Sequence, residues 1–287
     1  MPGYANVADY VDSLLNGQST YSVFRKTPTQ STQSGRWFDL SMSPGNPRPQ
    51  YYAASPEVSI ALAQSTDGGL FHGANQSGKQ KFLHRLLLMC NNATSVPLAL
   101  VLQDYLIYYP FLDESSTDYQ PLTTSATLPR YTDGAGVQIM AVVVAGQTGG
   151  GTFTVTYTNS AGVAGRVTAP VLLNAQNLNG TLINTQSSGG TQFVGPYLPL
   201  QGTDTGVQLI EGIQFSAPDV GLLTLVLVKP IATITIRGID APVEVLYFRD
   251  TATLPTIEDD AYLNFICHPV GSLASGNIYG EIEVGWN

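Results

Sequence analysis

Residues 73–79 read Gly-Ala-Asn-Gln-Ser-Gly-Lys, the GxxxxGK spacing by which a glycine-rich loop cradles a phosphate. That chemistry needs a Ser or Thr next, to hold magnesium, and then a helix. Gln80 stands there instead, a strand-like run follows, and residues 67–72 make no convincing strand before it. The segment therefore reads as a polar loop. Three histidines, His72, His84 and His268, are the available bases for a nucleophile site. No GxSxG elbow accompanies them. Cys267 and His268 are adjacent, so on a strand they point to opposite faces and cannot pair. No CxxC, HxxxH or HExxH spacing exists for zinc.

Two acidic clusters remain. Asp113, Glu114 and Asp118 lie in one expected loop, and Glu258, Asp259 and Asp260 in another. Calcium needs several oxygens converging on one point, and neither cluster has the EF-hand spacing. Structural calcium and solvated loop acids both stay open. A glycosidase would need two carboxylates at a set separation across a cleft, which spacing alone does not show. No catalytic, cofactor-binding or metal-binding residue is assigned, no cofactor is expected, and the chain reads as a non-enzyme.

The elements that would position such groups are mostly strands. Charged residues make up 11% of the 287-residue chain, against roughly 25% on average, while 29 Gly and 18 Pro mark many turns. A hydrophobic fraction of 43% argues against disorder. The net charge of −9, with 12 Lys and Arg and no basic stripe, argues against nucleic acid and anionic membranes as partners. The N-terminus lacks a cationic region before an apolar run, and no window is long enough to span a bilayer. Cys90 and Cys267 read as buried thiols rather than a bridge, and synthesis in a cytoplasm is expected.

Val7, Tyr10, Val11, Leu14 and Leu15 fall at helical spacing, with Gly17 as a stop, which predicts a short helix over 5–16. Residues 17–54 lack either period and read as an extended arm, its aromatics packed on its own domain or on a neighbour. Ser55, Pro56 and Glu57 have the makings of a helix start, and predict a second short helix ending at residues 67–69. From residue 81 onward strand patterns follow one another, clearest at 152–158, where Phe153, Val155 and Tyr157 alternate with threonines. Residues 174–205 read as a long polar loop. Thr-Leu-Pro recurs at 127–129 and 253–255, each followed by an Asp four residues after the proline, which raises either chance or a duplicated β unit. The expectation is a mainly β chain, an antiparallel β-sandwich or jelly-roll-like fold. It has a short N-terminal helix and arm (1–66) and two β units, 67–135 and 136–287.

The segments at 67–76 (DGGLFHGANQ), 108–120 (YYPFLDESSTDYQ) and 127–140 (TLPRYTDGAGVQIM) resemble stretches in virion structural proteins of tailed bacteriophages. The resemblance implies a component of the assembled particle, located in the virion: a decoration or cement subunit on the head, or a neck or tail subunit. The usual major capsid protein is richer in charge and carries a long helix, so a shell subunit would be of another type. A trimer or hexamer contacting other virion proteins, such as the major capsid protein, is the expected state. Aromatics in a low-charge setting favour interface centres. Arg36, Trp37, Phe38, Tyr51 and Tyr52 are accordingly the expected anchors. A glycan- or receptor-binding β-sandwich, using exposed aromatics and the 174–205 loop, is the competing reading.

Overall fold

The computed structural model describes residues 4–29, 32, 35–173, 175, 178–183, 195–239, 241–251, 253–274 and 276–287. After helix α1 (Val7–Leu15), the principal strands are β1 (Ser19–Lys26), β2 (Lys81–Cys90), β3 (Leu98–Asp113), β4 (Gln138–Ala145) and β5 (Thr152–Asn159). They continue with β6 (Val207–Phe215), β7 (Leu222–Ile236), β8 (Val243–Leu246), β9 (Leu263–Pro269) and β10 (Ile278–Trp286). The chain is thus mainly β, and every ladder between these strands is antiparallel.

Three sheets result. The central one runs β9-β3-β7-β4, with Phe38–Asp39 added beyond β9. A second runs β8-β2-β10-β1, and a third is built on β5 and β6. The central strands are long because they serve two cores. Leu98, Leu100 and Leu102 of β3, with Ile234 and Ile236 of β7, pack against Leu86, Leu88, Ile278 and Ile282 of the second sheet. Further along the same strands, Leu106, Tyr109, Leu223 and Leu225 pack against Phe153, Val155, Ile210 and Phe215 of the third. Both expected β units, 67–135 and 136–287, contribute strands to all three sheets. Their boundary therefore separates stretches of chain rather than cores. The Thr-Leu-Pro segments do divide by core: Leu128 is buried in one and Leu254 packs on the other. They lead into β4 and β9, which flank the β3–β7 pair on opposite sides.

Between the two cores β3 turns polar at Gln103 and Asp104, both fully buried. Opposite them β7 carries Lys229 and Pro230, and its register slips there. A proline lacks the ladder N–H, and a bulge is where a strand tolerates that. Arg130 fills the seam. Its guanidinium grips both Asp104 oxygens (2.7 and 2.8 Å) and donates to the carbonyls of Leu62 and Tyr105. The N–H of Tyr262 donates to the same carboxylate (2.9 Å). Three segments far apart in sequence meet on one charge.

The first helix forms as expected. Asn6 caps it, accepting from the N–H of Asp9, and Gly17 in the left-handed region ends it. The arm is partly regular: residues 19–26 form β1, paired with β10 along its whole length. The helix expected from Ser55 does not form. Glu57 has φ 61°, which no helix continues through, and its N–H donates to Pro110 O (2.9 Å). The reason lies in β9, which pairs with β3 only as far as Asp104. The uncovered edge of β3 beyond that point takes up residues 57–62 instead, with Ile60 and Ala61 paired to Tyr108 and Ile107. Only Gln64–Asp67 makes a helical turn. Of the 174–205 loop, residues 174, 176–177 and 184–194 lie outside the described residues; Leu182, Ile183 and Leu198 are buried.

Replacing Arg130 by Ala leaves Asp104 buried without its counter-charge, and urea unfolding should show a loss of about 3–5 kcal/mol. The double change Asp104→Leu with Arg130→Met should recover most of it. A stable single variant would show that the pair does not hold the seam.

Candidate functional site

The five expected anchors separate in the structure. Phe38 and Tyr52 are buried within the chain itself, at 3% and 0% exposure. Arg36 and Trp37 are half-buried, the Trp37 ring lying 5.1 Å from that of His268, and Tyr51 is exposed. Phe38 is fixed because it pairs with Cys267 at the edge of the central sheet. Tyr52 takes a left-handed backbone (φ 53°) that turns its ring onto Tyr108.

Below them lies a polar network that residue spacing did not reveal. Asp39 is fully buried and accepts from the hydroxyls of Tyr52, Tyr105 (2.6 Å) and Ser41 (2.7 Å) and from the N–H of Ser41 (2.9 Å). Burial raises its pKa, and these donors oppose the rise by stabilising the carboxylate. Lys26, also fully buried, donates to the carbonyls of Pro47 (2.7 Å), Ser43 (2.9 Å) and Ser41 (3.4 Å). Burial lowers its pKa to about 8, against the pull of Asp39. These groups pin residues 38–52 to the central sheet and to β1. A signal existed in Asp39 itself, a charge bracketed by Phe38 and Leu40.

The groups with catalytic potential are also structural. In the 73–79 loop, the Gln76 N–H donates to both carboxylate oxygens of Asp259 (3.1 and 3.0 Å). The anion that this loop grips is the chain's own. Lys81, 1% exposed, lies 3.0 Å from Asp259 and 3.3 Å from His72 Nδ1. His72 Nε2 donates to the Ala261 carbonyl (3.0 Å), which leaves Nδ1 as acceptor toward the ammonium. Burial, then Lys81, lower the His72 pKa to about 4. A Lys–His–Asp chain could relay protons, but Lys81 and His72 are shut off from solvent. His84, likewise lowered to about 4 by burial, sits under Tyr4 and Tyr10. Cys90 and Cys267 are free thiols inside the first core, and burial pushes Cys267 up.

The acidic loops do not converge. Asp113 closes a turn on Ser115, while Asp260 holds the N–H and hydroxyl of Ser65. Among the described residues no group of three or more His, Cys, Asp or Glu is placed to hold a metal. Glu114 is fully buried beside the Gln147 amide, with its second oxygen unpartnered. Burial pushes it up to about 7, and Asp219 and Asp113 add to the rise.

Comparison with protein-family models, with curated proteins and with solved structures finds no match to this chain.

Tyr52→Phe removes one donor to a buried carboxylate. It should cost about 1–3 kcal/mol and speed amide exchange over residues 37–52, as read by mass spectrometry; unchanged exchange would remove Asp39 as the latch. Glu114 holds its proton more tightly folded (about 7) than unfolded (4.5). Its contribution is complete below pH 4.5 and is lost as pH rises through about 7. Stability should therefore fall by up to about 3 kcal/mol across that window in melts, and Glu114→Gln should flatten the slope.

Proposed function

We propose that the chain is a non-enzymatic structural subunit of a virus particle, most simply a capsid-associated decoration or cement subunit that binds neighbouring subunits and stabilises the shell. One contrast carries the reading. Asp39, Lys26, Asp104, Arg130, His72 and Lys81 are sealed inside in structural roles, while Val7, Leu15, Tyr21, Val23 and Tyr51 stand exposed. Val7, Val11 and Leu15 line one side of α1, and contiguous apolar surface of that kind is characteristic of places where other proteins bind. The virus particle itself is supported by the resemblance of residues 67–76, 108–120 and 127–140 to phage virion proteins. A neck or tail subunit fits the same support.

A groove of about 330 Å³ favours the second reading, a glycan-binding β-sandwich. Thr152, Thr154, Gln214 and Ser216 line it, and they offer the hydroxyls and amides that sugars bond. A flat glycan array would remove that reading.

Deleting the arm would not test the assembly role, because β1 pairs with β10 along its whole length and Phe24 is fully buried. Surface replacement does. Arg36→Ala with Tyr51→Ala should leave the melting temperature unchanged and reduce incorporation into particles, quantified by mass spectrometry. Hundreds of copies per particle would mean head or tail tube, and about a dozen or fewer neck or baseplate. Particles without the protein would overturn the reading.

A further inference from the structure

Helix α1 is held by one side only. Tyr10 stacks on Phe248 at 4.4 Å and meets His84 edge-on at 4.9 Å, and Ser13 is buried beneath. Tyr4, just before the helix, packs on Phe82 and His84. These contacts lay α1 on the outer face of the β8-β2-β10-β1 sheet. The opposite side of the helix carries Val7, Val11 and Leu15, one turn apart each, at 60%, 44% and 79% exposure. Tyr21 and Val23 of β1 are exposed on the sheet itself, where Phe24 turns inward to the core.

The charges around this apolar stripe are unbalanced. Arg85 of β2 is approached by Glu244 (3.1 Å), Glu281 (3.0 Å) and Glu283 (3.7 Å). One guanidinium thus faces three carboxylates, and Glu281 lies close enough to the Tyr21 hydroxyl to raise its pKa. Asp9 and Asp12 add two more acids on the helix, which has no base in its last turn. Arg25, at the far end of β1 against Asn277, and Arg249, paired with Asp250 and close to Glu244, are further cations around this face, and the acids still outnumber them. A second copy of the chain meeting this face through a two-fold axis would set these carboxylates against each other.

We infer that α1 and the outer face of this sheet form a docking surface for a different protein. Its partner segment is amphipathic, with an apolar stripe to cover Val7, Val11 and Leu15 and lysines or arginines to meet the glutamates. The existence of a partner rests on the assembly reading above. The test below uses no particles, so either can fail alone.

The probe is a labelled synthetic helix of leucine and lysine with one apolar face, titrated with the full chain and followed by fluorescence anisotropy. A leucine–glutamate helix of the same pattern is the control. The lysine peptide should bind and the glutamate peptide should not. Val11→Ser with Leu15→Ser should raise Kd about tenfold or more, and Glu281→Gln with Glu283→Gln several-fold, with added salt weakening the wild type likewise. Val163→Ser, an exposed site in the turn after β5, should change nothing. Melting curves confirm that each variant is folded. Equal binding of both peptides, or binding untouched by the Val11/Leu15 pair, would overturn the inference. So would light scattering that finds a wild-type dimer made monomeric by Leu15→Ser, since the occupant would then be a second copy.

Discussion

The antiparallel pairing of β3 with β7 is the constraint on which the rest depends. A strand of 16 residues against one of 15 is long enough to form the floor of two sandwiches. Two separate apolar layers then pack on the same ladder. The place where one core gives way to the other cannot be apolar throughout, because the register slips there and Pro230 donates nothing to the ladder. Asp104 and Arg130 occupy that place. Their charges are desolvated, and only bidentate geometry with further backbone partners offsets that cost. A pair of this kind is worth more as a specification of how segments meet than as raw stability. It sets Leu62, Tyr105 and Tyr262 in one arrangement.

A similar logic holds the arm. The opposite face of the central sheet is covered by Tyr52 and Leu62 over Tyr105, Tyr108, Met140 and Val226. Apolar contact alone would let such an irregular segment slide. Asp39 and Lys26 prevent this by demanding particular hydroxyls and carbonyls at particular distances, since an unmet buried charge is costly. The arm thus packs on its own chain over much of residues 37–62. Arg36 and Trp37 stay half-buried, and Tyr51 and the outward side of α1 stay exposed.

The low charge content acquires a physical meaning from this arrangement. Several of the few ionisable groups are consumed inside, as Asp104–Arg130, Lys81, Asp39 and Lys26. Much of the surface is left to small polar residues, with large apolar side chains among them. Such a surface is poorly suited to long-range steering and well suited to close, extensive contact. The exception is the sheet face around Arg85, where glutamates concentrate.

By itself the amino-acid order determined a good deal. Alternation at 152–158 predicted a half-buried strand, and Phe153, Val155 and Tyr157 are buried. Helical spacing with Gly17 predicted α1, and distant cysteines in apolar runs predicted buried thiols. The missing Ser or Thr after Lys79 was enough to read the 73–79 segment as a loop. These are properties of local period and local chemistry. Tertiary structure decided the rest. Ser55-Pro56-Glu57 carries sound helix-start signals, yet an unfilled edge of β3 took that segment as a strand, because a ladder partner outweighs a weak propensity. Residues 138–145 form a strand by pairing along β7. Leu98 to Asp113 form one strand despite the polar Gln103 and Asp104 within it, because those residues lie at a seam that exists only once both cores form. Phe38 and Tyr51 have the same interface-forming chemistry, and only the fold placed one inside and the other out. Burial of a given aromatic depends on what lies across from it, and that is a property of the assembled chain.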